Sequence, residues 1–347
     1  MPEAFRVGVT RDFLKPDGTF GFGDAGFDLL DAPGIEWKYL AEDAGELRAD
    51  DVRGQDALLV LAPRVTAASL EGADRLAIVA RFGVGYDNID VEACTKRGVI
   101  LTITPEGVRR PVAAGAVAFL LALAHKLLVK DRLTRAGRWA EKLDFIGMGI
   151  TGRTLGLIGL GNIGREVIEL VRPFGMRHLA HDPYAAEPRP PGVELVPLDR
   201  LLAESDFVCI TCALTPETRH LMDARRIALM KPSAYLINVA RGPIVDQQAL
   251  TEALQRGRIR GAGLDVFEKE PIDPRDPLLS LENVILTPHA VSWTDECFRD
   301  VGRSAIRGIL EVASGRPPRH VVNKQVLEDP RLKAKMERCL MEARARG

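Results

Sequence analysis

The sequence predicts an α/β protein of two parallel-sheet domains. Short apolar runs alternate with helical patterns over the first hundred residues, a second and more regular alternation starts at Thr154, and 347 residues at 46% hydrophobic content can bury two cores. Lys and Arg total 47 against 48 for Asp and Glu. A field so close to neutral offers no broad attraction to nucleic acid or anionic lipid, so neither is expected as a partner. The start, Met1-Pro2-Glu3-Ala4-Phe5-Arg6, has no basic segment leading into an apolar one, which predicts no secretory signal and a cytoplasmic location.

In the first domain the expected strands are Arg6 to Val9, Glu36 to Leu40, Ala57 to Leu61, Ile78 to Phe82 and Val99 to Thr102. Pro111 suits the first turn of a helix, and the sequence from Val112 to Thr134 reads as one long connecting helix ended by Gly137. Its apolar run, Val112 to Ala124, is 13 residues, short of the roughly 20 that span a bilayer; no membrane is expected. In the second domain the strands fall at Leu155 to Ile158, His178 to Ala180, Phe207 to Ile210, Tyr235 to Asn238, Ala262 to Leu264 and Val284 to Leu286. A helix from Asp295 to Ala313 then returns to the first domain, followed by a charged, helix-prone tail. The expected domains are therefore 1–104 with 291–347, and 105–290.

Gly159-Leu160-Gly161-Asn162-Ile163-Gly164 directly follows a strand and opens a helix. In that context Gly159 permits a tight turn, Gly161 a close approach of pyrophosphate to backbone, and Gly164 close helix packing, while the helix N-terminus offers N–H groups to phosphate. Asp182 ends the next strand, 18 residues after Gly164, near the spacing at which an acid accepts ribose hydroxyls. With no Lys or Arg from His181 to Ala185 to offset its charge, NAD is expected rather than NADP.

Further candidates each stand just past the carboxyl end of a strand, where open α/β sheets bind ligands: Cys212, Arg241, Asp265 and His289. Cys212 also forms a C-x-x-C with Cys209, but no second pair or nearby His completes a metal site, and the five scattered cysteines imply neither a metal nor a disulfide framework. Either Glu268 or Glu270 could reach His289; the residues alone do not separate them. In the first domain Gly83-Val84-Gly85 follows a strand and can turn backbone N–H groups toward a substrate carboxylate.

Together, the segment Gly83 to Asp90, the Gly159 to Gly164 loop, Asn238-Val239-Ala240-Arg241-Gly242, Gly263 to Pro271 and Thr287-Pro288-His289 resemble the D-isomer-specific 2-hydroxyacid dehydrogenases over residues 50 to 325. The resemblance implies two Rossmann-like domains, one a doubly wound NAD-binding sheet and one a flavodoxin-like substrate domain. It implies a catalytic set Arg241, Glu270 and His289, cofactor contacts at Asn162, Ile163, Asp182, Val239, Ala240 and Asp265, and backbone binding of the substrate carboxylate at Val84 and Gly85. The implied reaction interconverts a small 2-hydroxy acid and its 2-keto acid. A homodimer is expected through the apolar helix from Val112 to Leu128. An NAD-sensing binding protein, like the corepressors that share this fold, is the alternative reading. The chain departs from the family pattern at Ala114, where a Glu is expected, at Arg109-Arg110, and at Ala290-Val291-Ser292-Trp293.

Overall fold

The computed structural model describes residues 3–41 and 45–346. The chain divides into two compact units, one of Met1–Val108 with Trp293–Gly347 and one of Arg109–Ser292.

The first unit holds five parallel strands: β1 (Phe5–Val9), β2 (Ile35–Tyr39), β3 (Ala57–Val60), β4 (Ile78–Arg81) and β5 (Ile100–Thr102). Their order, β2-β1-β3-β4-β5, is the flavodoxin-like arrangement. β3 is buried along its whole length, which is why it reads as a continuous apolar run rather than an alternation. The tail helix Pro330–Arg346 belongs to this unit. It is tied down by Lys335 Nζ, which donates to the carbonyls of Leu76 and Arg97 at 2.7 and 2.8 Å, and by Arg338, which pairs with buried Asp56 at 2.7 Å.

The second unit holds seven parallel strands: β6 (Thr154–Ile158), β7 (Arg177–His181), β8 (Val193–Leu195), β9 (Phe207–Ile210), β10 (Tyr235–Asn238), β11 (Gly261–Leu264) and β12 (Val284–Leu286). They lie in the order β12-β11-β10-β9-β6-β7-β8, so the order reverses beside the first strand and leaves a crevice at the carboxyl ends. The register aligns those ends in one row: His181 pairs with Ile158, Ile158 with Ile210, Ile210 with Asn238, Asn238 with Leu264 and Leu264 with Leu286. β8 has no counterpart among the expected strands. It is a three-residue edge strand with largely exposed side chains, too short and too solvated to show a pattern after the proline-rich segment before it.

The single helix expected from Val112 to Thr134 is two, Pro105–Ala124 and Leu127–Arg135. Pro105, not Pro111, stands at the start; Pro111 lies inside the helix. The break falls at Lys126, which is left-handed at φ +52. The Ala124 carbonyl there accepts the Met148 N–H at 2.7 Å. A returning segment thus satisfies the end of the first helix, and continuing the helix would displace it. Pro105–Ala124 is long and apolar enough to cross a membrane, but 56% of that stretch is buried, and Ala113, Ala116, Phe119 and Leu120 sit in the core of the second unit. Within the expected dimer stretch, Val112 to Leu128, the side chains of Ala113, Ala116, Phe119, Leu120, Leu123 and Ala124 are buried in that core, while Ala114, Ala118, His125, Leu127 and Leu128 are exposed. Exposed large apolar side chains follow this helix at Leu127, Leu128, Trp139, Leu143 and Ile146.

Candidate active site

The glycine loop starts where β6 ends. Gly159 takes φ +98, and a Cβ there would stand 2.6 Å from the Cys212 backbone nitrogen; a Cβ at Gly164 would overlap the Gly159 carbonyl oxygen. Gly161 differs, because a Cβ there would meet nothing within 4 Å. It is the N-cap of the helix Asn162–Val171 and supplies no side-chain cap, and among the described residues the first-turn N–H groups of Asn162 and Ile163 meet no backbone acceptor in a turn or loop. That cradle suits a pyrophosphate. Asp182 anchors the loop, accepting the Leu160 N–H at 2.8 Å through one oxygen and the Tyr184 N–H at 2.8 Å through the other. Each oxygen keeps a lone pair for a ribose hydroxyl. Burial pushes the Cys212 thiol up to about 11 and Cys209 up to about 12, so both thiols are neutral.

Residues immediately after the aligned strand ends form the rest of the site. Asn238 shapes the turn beyond β10, its amide oxygen accepting the Ala240 N–H at 3.0 Å and its amide nitrogen donating to the Arg241 carbonyl at 2.9 Å. The Val239 side chain is buried in one core and Ala240, partly buried, packs against the other, while Arg241 is half-buried. Asp265, only 4% exposed, accepts through Oδ1 the Thr287 hydroxyl at 2.6 Å and the N–H groups of Ala290 and Val291 at 2.8 and 2.9 Å. Burial raises its pKa, opposed in part by these hydrogen bonds and by the charge of His289.

His289 is left-handed at φ +54 and donates its N–H to the Asp265 carbonyl at 2.8 Å. Its Nδ1 lies 2.7 Å from Glu270 Oε2, while Oε1 of the same carboxylate accepts the Phe267 N–H at 3.0 Å. Burial alone would raise the Glu270 pKa. The His289 hydrogen bond, the Phe267 N–H and the charges of His289 and Arg241 outweigh it and hold the carboxyl below its ordinary value. The alternative acid, Glu268, pairs with His220 instead. Arg241 is half-buried, with Nη1 donating to the Ala240 carbonyl at 2.7 Å. Arg109 and Arg110 both pair with Glu166, at 3.2 and 2.7 Å, and Ala114 is exposed.

In the first unit Gly83 takes φ +130 and exchanges two hydrogen bonds with Thr104, one from its N–H to Oγ1 at 3.0 Å and one to its carbonyl at 2.9 Å. These hold the loop open, and the N–H groups of Val84 and Gly85 meet no backbone acceptor among the described residues. The Arg81 guanidinium lies 3.0 Å from where a Gly83 Cβ would stand, adding positive charge beside the loop. Trp293 is 53% exposed and packs on Phe22 and Phe298. The sequence alone marks no role for Asn238, Thr287, Arg81 and Thr104; their only signal is a polar residue at or near a strand end.

A doubly wound sheet whose glycine loop, acidic residues and His–Glu–Arg group share one edge defines a nicotinamide-dinucleotide oxidoreductase. Residues 117–291 match the family model described as the D-isomer specific 2-hydroxyacid dehydrogenase, NAD binding domain. The chain is 42% identical over 298 residues to a glyoxylate reductase of Korarchaeum cryptofilum, covering 84% of this chain and 90% of that one, and 41% identical over 304 residues to a glyoxylate reductase of Thermococcus onnurineus, with the same coverages. It superposes with TM-score 0.79 and 27% identity on D-lactate dehydrogenase from Aquifex aeolicus complexed with NAD and lactic acid, over 93% of this chain and 97% of that one. The chain belongs to the D-isomer-specific 2-hydroxyacid dehydrogenase family. It is an NAD-dependent oxidoreductase that interconverts a small hydroxy acid and its keto acid.

Proposed function

We propose that Arg241, Glu270 and His289 carry this reaction, with Gly159 to Gly164, Asp182, Cys212, Val239, Ala240 and Asp265 forming the cofactor site and the Val84 and Gly85 amides taking the substrate carboxylate. Bound NADH supplies a hydride to the keto carbon, and bound NAD accepts one in the reverse direction. The chain's own groups handle the proton and the charge. His289, oriented through Nδ1 by Glu270, presents Nε2 to the keto oxygen and donates a proton as the alcohol forms; in oxidation the neutral ring takes it back. Glu270 favours the imidazolium by opposite charge. Arg241 offers a planar fork of donors to the carboxylate and carbonyl oxygens. The observation that carries this reading is the 2.7 Å contact between His289 and Glu270, which a purely NAD-sensing protein has no need of.

Glyoxylate is the first substrate to test, given the relatives. NADH oxidation with glyoxylate that disappears in His289→Ala, while NADH binding persists, supports the assignment; undiminished turnover in that variant removes it. The same reading includes a cytoplasmic homodimer built on the Val112 to Leu128 stretch, whose Leu127 and Leu128 are exposed, with the exposed apolar side chains Trp139, Leu143 and Ile146 following it in the chain. Light scattering at micromolar protein, giving twice the 38.0 kDa chain mass, supports it, and a monomer mass removes it.

A further inference from the structure

The loop that carries Glu270 holds two carboxylates, each paired with its own histidine: Glu270 with His289, and Glu268 with His220 Nε2. Both histidines take the left-handed backbone, φ +54 at His289 and φ +49 at His220. A non-glycine residue adopts that conformation rarely and keeps it only where its surroundings impose it. The first pair belongs to the proton transfer already described. The second touches no reacting group, and with side chains 47% and 34% exposed it adds little stability.

What the second pair does is close a ring. The His220 N–H donates to the Pro243 carbonyl at 2.8 Å, and Pro243 is two residues after Arg241. The His220 ring holds Glu268, whose own N–H donates to Gln247 Oε1 at 3.0 Å. The backbone of Phe267 and Glu268 in turn rests on Gly242, where a Cβ would overlap the Phe267 carbonyl group. Phe267 then donates its N–H to Glu270 at 3.0 Å. The turn bearing Arg241 and the loop bearing Glu270 are thus joined twice, once by backbone contact at Gly242 and once through His220.

We propose that His220 is a positioning residue, whose ring and backbone N–H fix the Glu270 loop against the Arg241 turn and so set the separation of the Arg241 guanidinium from the Glu270–His289 pair. This rests on the catalytic assignment above. Its backbone bond survives side-chain truncation, so loss of the imidazole loosens the loop without unfolding it, and a longer, less constrained separation weakens carbonyl polarisation and substrate binding together.

The test compares His220→Ala, His220→Gln, Glu268→Ala and the double variant His220→Ala/Glu268→Ala in the full chain, with glyoxylate as substrate. His220→Ala is expected to lower kcat roughly tenfold and raise the glyoxylate KM severalfold. The NADH Kd, read by fluorescence titration, should stay within about twofold of wild type, because the glycine loop after β6 and Asp182 after β7 lie on other strands and neither bonds to His220 or Glu268. His220→Gln, whose amide can still donate to Glu268, should recover most of the kcat, and the double variant should be no worse than the single ones. Wild-type kcat and KM in His220→Ala, no recovery with Gln, or additive losses in the double variant each overturn the role. If His220→Ala does not fold, Glu268→Ala decides: a wild-type kcat there overturns it. A wild-type chain that turns over no 2-keto acid overturns the reaction assignment itself, whereas an active wild type with unaffected variants overturns only the role of His220.

Discussion

The Nδ1 atom of His289 lies 2.7 Å from Glu270 Oε2, and the other oxygen of that carboxylate is held at 3.0 Å by the Phe267 N–H. The acid that orients the imidazole is therefore itself fixed by backbone, and its charge, kept below the ordinary carboxylate pKa, is present across the neutral range.

Glu270→Gln keeps the shape and one hydrogen bond but removes that charge, which favours the protonated ring. Ketone reduction uses the protonated ring that this charge stabilises, so kcat/KM for glyoxylate reduction should fall roughly tenfold or more in the variant. Wild-type kcat/KM for reduction would make Glu270 a bystander.

Arg241→Lys retains the positive charge and loses the planar fork. Because carboxylate binding and carbonyl polarisation use the same two-pronged geometry, kcat/KM for glyoxylate should fall roughly 10- to 100-fold, with both kcat and KM moving. Steady-state kinetics indistinguishable from wild type would place the wrong arginine at the substrate.

Asp265→Asn separates stability from function. Burial raises the folded-state pKa of Asp265 above its ordinary 3.8, so the ionised carboxylate opposes folding above that folded-state pKa, and the effect is absent below 3.8. An Asn whose oxygen keeps the three Oδ1 bonds escapes this. The variant should therefore melt higher than wild type at pH 7, with the gap closing as the pH falls toward 4, while its NADH affinity drops. Equal melting temperatures at both pH values would contradict the sign.

Gly161→Ala and Gly164→Ala should fail differently. The first meets no atom within 4 Å and sits at φ −76, so the protein should fold normally yet bind NADH at least roughly tenfold more weakly, since the methyl occupies the pyrophosphate approach. The second overlaps the Gly159 carbonyl oxygen and should lower the melting temperature. Thermal melts and NADH titrations on both variants distinguish the cases; a Gly161→Ala protein with wild-type affinity would disprove the cradle.

Strands buried on both faces, such as β3, β9 and β10, were legible because full burial demands an unbroken apolar run. β8 was not, since an edge strand of three residues needs none. The helix break at Lys126 has no local signal, because the Ala124 carbonyl there is taken by Met148, far along the chain. Likewise, Asp182, Arg241, Asp265 and His289 were visible as residues just past strand ends. The choice between Glu268 and Glu270 was not, because it turns on which histidine each faces, 48 residues away for one and 19 for the other. Local spacing carries no record of that pairing.

The aligned row of strand ends from His181 through Ile158, Ile210, Asn238 and Leu264 to Leu286 behaves as a graduated scale. Neighbouring strands lie about 4.8 Å apart, so its five steps place the Asp182 end about 24 Å from the Thr287 end. A dinucleotide laid across the edge is thus measured in strands rather than in loop lengths. Loops beyond the edge can lengthen or change their side chains without altering that span. Only gaining or losing a strand between β7 and β12 would reset it.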